Sequence, residues 1–95
     1  MSRKDLNKTF PVSNDKLQYG SGDLCYLILH NDDIHTFDYV IESLIEVCGL
    51  DPLQAEQCTF IVHYKGKCDI KKGTFSDLVP LKNGLIERGL TVTIE

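Results

Sequence analysis

Asn31, Asp32 and Asp33 stand together where the apolar run LCYLIL ends and a new apolar pattern begins, and His63 follows downstream in TFIVHYKG. Short polar side chains at a strand-to-helix turn satisfy backbone donors, and Thr36 is placed to cap the helix that follows. That structural use accounts for one of the three residues and leaves two acceptors unspent. A carboxamide and a carboxylate on a rigid turn can also converge on one cationic donor, such as an ammonium group with its three N–H bonds. Thr59, Val62 and His63 share one face of the segment read as the second helix. His63 suits two roles, a ligand for that amine or a helix-terminal histidine favoured by the last-turn preference for cations, and spacing leaves both open. Carboxylates with an imidazole are also the parts of acid–base or metal sites. No nucleophile motif, phosphate loop or paired ligand spacing accompanies them, so no enzyme is expected, and no cofactor or metal.

The elements that must hold these residues follow from apolar periodicity. LCYLIL is short, apolar and bounded by Gly and NDD, which suits a buried strand. Phe37, Val40, Ile41, Leu44, Ile45 and Cys48 recur at helical period, and Gly49 ends that helix. Asp51 as N-cap and Pro52 at the first helical position open a second helix, which runs through His63 and stops near Gly66. KCDIKK alternates weakly and predicts a short edge strand. Ser76 is the expected cap of a third helix, SDLVPLKNGLIER, with Pro80 early enough to be tolerated and Gly89 just past the end. LTVTIE alternates strictly and predicts the last strand. The order β-α-α-β-α-β predicts an α+β sandwich: a three-stranded antiparallel sheet with three helices on one face.

Residues 1–22 are mostly polar, carry no sustained apolar period and end in Gly-Ser-Gly, which predicts a flexible N-terminal extension ahead of a folded domain at 23–95. With 95 residues there is room for one core, so most apolar positions must be structural. Ten basic against fourteen acidic residues give a net charge of −4, with no basic stripe, which argues against a nucleic-acid binder or an anionic membrane-surface protein. No apolar stretch approaches the roughly 20 residues of a membrane span, and the polar start lacks signal-peptide design, so a cytoplasmic monomer is expected. Cys25, Cys48, Cys58 and Cys68 are singly spaced with no C-x-x-C pair. In a reducing compartment they are expected to be small buried hydrophobes.

YLILHNDDIHTFDYVIESL followed by TFIVHYKGK resembles the ClpS family, adaptors of the bacterial Clp protease, in which an apolar strand runs into an NDD turn and a later helix ends in VHY and a Gly-Lys pair. The match covers residues 24–67, and beyond residue 75 only the helix–strand pattern carries it. The resemblance implies a ClpS-like fold and an adaptor that binds the free, bulky hydrophobic first residue (Leu, Phe, Tyr or Trp) of N-end rule substrates. It implies delivery of these N-degron proteins to the ClpA-type AAA+ unfoldase of the ClpAP protease, docking through the third helix, with residues 1–22 similar to a mobile extension that takes part in hand-off. By that similarity Asn31, Asp32 and His63 hold the α-amino group, and His35, Phe37, Val40, Thr59, Val62 and Leu90 line the pocket for the first side chain. Val40 and Val62 suit plain core equally well. Two positions depart from the family, with Phe37 and Thr59 where methionines are usual; a stiffer Phe37 is expected to narrow the mouth, and Thr59 to deepen or polarise the wall. The third helix is shorter than the family's usual one and less acidic, which leaves docking on a Clp ATPase less secure than substrate binding. An alternative is a ClpS-fold interaction module that binds no N-degron.

Overall fold

The computed structural model describes residues 23–95, and the expected extension at 1–22 lies outside the described residues. Three strands and three helices follow one another as β1 (Leu24–His30), α1 (Phe37–Cys48), α2 (Pro52–Lys65), β2 (Lys67–Thr74), α3 (Phe75–Glu87) and β3 (Thr91–Ile94). The sheet order is β2-β1-β3, with both pairings antiparallel. The strand with the longest apolar run is therefore central, flanked on both sides. Cys25, Leu27 and Leu29 of β1 face the helices and are buried together with Leu44, Ala55, Cys58, Val62, Leu78, Leu85 and Val92. The three helices cover that one face, as the sequence order predicts.

Helix ends are set locally. Thr36 Oγ1 accepts from Tyr39 N at 3.1 Å and Asp51 Oδ2 from Gln54 N at 3.0 Å, each satisfying a first-turn donor of α1 or α2. Gly49 (φ 68°) and Gly66 (φ 93°) close the same helices in the left-handed region, where a side chain would be strained. The Lys71 ammonium reaches the Cys48 carbonyl at 3.4 Å, placing a cation at the negative end of α1.

Two sequence expectations are corrected. The cap of α3 is Thr74, whose hydroxyl accepts from Asp77 N at 3.2 Å, and Ser76 lies inside the first turn. Thr74 is the better-placed residue because its extended backbone (φ −73°, ψ 160°) continues straight out of β2. With the helix starting earlier, Pro80 falls beyond the first turn, where its missing N–H removes a ladder bond to the Ser76 carbonyl. The edge strand β2 is also longer than KCDIKK, reaching Thr74. The register steps from Leu27↔Lys71 to Ile28↔Asp69, so Ile70 is an extra residue at a bulge and is buried in the core. The bulge breaks the two-residue alternation, which hid the strand's full length.

Candidate functional site

β1 ends at His30, and the Asn31 N–H donates to the Gly66 carbonyl at 2.9 Å. That bond ties the start of the NDD turn to the C-terminus of α2, where Val62 and His63 stand. Gly66 is needed at the junction because its positive φ turns the chain sharply back into β2. On the other side, α3 ends at Glu87 with Arg88 as its C-terminal cap, and Gly89 (φ 85°) turns into Leu90 and β3.

The result is an open cleft of about 360 Å³, counting the solvent space at its mouth. All nine residues singled out from the sequence line it: Asn31, Asp32 and His63, with His35, Phe37, Val40, Thr59, Val62 and Leu90. Leu29 and His30 line it too, and sequence reasoning missed both. Their signal was available, since they are the last two residues of β1 immediately before the turn. Thr59, Val62 and Leu90 are buried, Val40 and Phe37 half-buried, and Asn31 and His63 exposed, so an apolar interior opens under a polar rim. That layout suits a ligand with one apolar group and one polar end.

Asp32 is the best-connected residue of the turn. Its Oδ1 accepts from Ile34 N at 2.8 Å and His35 N at 3.0 Å, and the His35 Nδ1 lies 3.2 Å from Oδ1 and 3.1 Å from Oδ2. Burial pushes the carboxyl up, but the two N–H donors and the His35 ring outweigh it and hold the group below its ordinary value. Asp32 is therefore an anion in neutral solution, with Oδ1 spent on the turn. His35, expected only as pocket wall, is also the partner of Asp32. Thr59 donates its hydroxyl to the Ala55 carbonyl at 2.8 Å, so it deepens the wall without offering a free polar group. Phe37 packs edge-on against both His63 (centroids 5.1 Å, 70°) and Phe60 (5.1 Å, 78°), which fixes its ring at the cleft.

Among the described residues there is no group of three or more His, Cys, Asp or Glu placed to hold a metal ion. The four cysteines are unpaired; Cys25, Cys48 and Cys58 are buried. Burial pushes the Cys48 thiol up to about 11 and that of Cys68 up to about 12, far from a reactive thiolate.

Fold and cleft together define a small α+β domain with an apolar cleft opening beneath a polar rim. The family described as ATP-dependent Clp protease adaptor protein ClpS matches residues 21–93, and the chain belongs to this family, whose members are adaptors and not enzymes. A ClpS adapter protein of Clostridium acetobutylicum is 50% identical over 40 residues, a stretch that is 42% of this chain and 40% of that protein. The solved structure of Agrobacterium tumefaciens ClpS2 bound to L-phenylalaninamide superposes with a TM-score of 0.65 at 18% identity, covering 80% of this chain and 98% of the other. That likeness establishes the fold, a three-stranded antiparallel sheet under three helices. No helix among the described residues is long and apolar enough to cross a membrane.

Proposed function

We propose that this protein binds the free α-amino group and the bulky hydrophobic side chain of a polypeptide's first residue. In this reading it hands such N-degron proteins to a ClpA-type AAA+ unfoldase of the ClpAP protease in the cytoplasm. The observation that carries the reading is the convergence of Asn31, Asp32 and His63 with six wall residues, drawn from the turn between β1 and α1, from α1 and α2 and from the residue just before β3, on one cleft. Asn31 Oδ1, the free face of the Asp32 carboxylate and a neutral His63 nitrogen accept the three N–H bonds of an ammonium. Hydrogen bonds to a charged group contribute about 1.5–3 kcal/mol each, so a free amine is favoured strongly over an acetylated one, which has lost the charge and two donors. The L-phenylalaninamide bound by the Agrobacterium relative, which carries a free α-amine beside an aromatic side chain, has the chemistry this cleft suits.

The test is fluorescence anisotropy of labelled peptides that differ only in the first residue (Leu, Phe, Tyr, Trp, Arg or Ala), each with a free or an acetylated N-terminus. Selective binding of free, bulky apolar N-termini supports the reading. Binding that ignores acetylation, or none at all, overturns it in favour of an interaction module with the same fold.

A further inference from the structure

Tyr39 does not line the cleft, yet both ends of its side chain are committed. Its ring lies parallel to the imidazole of His35, with centroids 4.9 Å apart and planes 14° apart. Its hydroxyl donates to the Arg88 carbonyl at 2.8 Å. Arg88 is in turn paired with Glu46 of α1 at 2.7 Å, so that the turn after α3 is tied to α1 twice. Gly89 meets the His35 ring from another direction: a Cβ there would lie 3.1 Å from Nε2 and 3.3 Å from Cε1. The imidazole is thus stacked on an aromatic ring at its face and met at its Nε2–Cε1 edge by a bare backbone. Its remaining nitrogen, Nδ1, faces the two Asp32 oxygens.

We propose that Tyr39 and Gly89 are positioning residues for the amine site, clamping the His35 ring so that it holds the Asp32 carboxylate in the orientation that receives an ammonium. The inference rests on the amine-binding reading above and adds residues that touch no ligand. A carboxylate whose terminal torsion is already fixed loses less freedom when it binds, and pre-organisation of this kind raises affinity without a new contact. The carboxylate also dictates the ring's proton, since an Nδ1 directed at two anionic oxygens must be the protonated nitrogen. Tyr39 is 38% exposed, so replacing it disturbs the clamp more than the core.

The experiment uses the full chain and a Phe-first peptide in two forms, one with a free α-amine and one in which 3-phenylpropionyl replaces the phenylalanine and so removes the amine. Tyr39→Leu is expected to weaken the free-amine peptide by about 5- to 10-fold and the desamino peptide by less than about twofold, with Tyr39→Phe in between. In an Asp32→Asn background, which keeps the Oδ1 acceptor of the turn and removes the charge, the Tyr39→Leu loss is expected to shrink to less than about twofold. Equal losses for both peptides, or a loss unchanged by Asp32→Asn, overturn the clamp. If the unaltered protein binds neither peptide, the amine-binding reading fails by itself, and the clamp is judged by ¹⁵N shifts of the His35 ring. These are expected to show an Nδ1-protonated ring in the unaltered protein and a mixed tautomer in Tyr39→Leu and Gly89→Ala. A ring unchanged in both variants overturns it.

Discussion

At the scale of single residues, the NDD turn divides its labour: Asp32 Oδ1 builds the turn, while the Asn31 side chain stays exposed at the rim. Asn31→Ala and His63→Ala are each expected to weaken a free-amine peptide by about 10- to 100-fold, the range for one hydrogen bond to a charged group. Their melting temperatures should stay close to that of the unaltered protein, because both side chains are exposed. Asp32 has a second signature, in stability. Its folded pKa lies below the unfolded value of about 3.9, so its contribution is fully present above that value and is lost as pH falls through the folded pKa. Thermal unfolding of Asp32→Asn against the unaltered protein is expected to show a deficit at neutral pH that closes as pH falls through the depressed folded pKa. A deficit that persists unchanged into strong acid contradicts a depressed carboxyl.

At the scale of elements, α3 carries the least comfortable residue. Pro80 interrupts its ladder, so Pro80→Ala is expected to stabilise by about 2 kcal/mol, whereas Thr74→Ala removes the cap and costs about 1 kcal/mol, both read by denaturant unfolding. Gly84 marks the close approach of α3 to α1, since a Cβ there would sit 2.9 Å from Val47 Cγ1. Gly84→Ala should therefore destabilise despite alanine's helix propensity, and Val47→Ala in the same chain should relieve it. Much of this architecture was legible in the sequence. Gly49, Gly66, Asp51 and Pro52 each act at the helix boundary their chemistry implies, and the nine residues that the resemblance to ClpS singled out line one cleft. What was not legible depended on tertiary geometry. The bulge at Ile70 hid the length of β2, a strand-to-helix junction without a loop moved the α3 cap from Ser76 to Thr74, and the pairing of His35 with Asp32 required the turn to fold back on itself.

At the scale of the whole molecule, the cleft and the core share material. Val62 and Leu90 belong to the main buried cluster and also line the cleft, as does the buried Thr59, so the cleft sits directly on the domain's own interior. Val62→Ala is accordingly expected to lower stability by about 1–3 kcal/mol and to weaken peptide binding together, a coupling that Asn31→Ala should not show. Binding and folding are linked in the same way, and saturation at about 100 times Kd should add about 2.7 kcal/mol to the folded state. The central claim is that one cleft reads an apolar side chain and a free amine together. The measurement that tests it most directly is an NMR titration of the ¹⁵N- and ¹³C-methyl-labelled protein with L-phenylalaninamide and, separately, with its N-acetyl derivative. The free amine is expected to shift the Asn31, Asp32 and His63 signals and the Val40, Val62 and Leu90 methyls in one saturable process, with no response to the acetylated compound. Equal responses to both compounds, or shifts confined to other surfaces, would contradict the account.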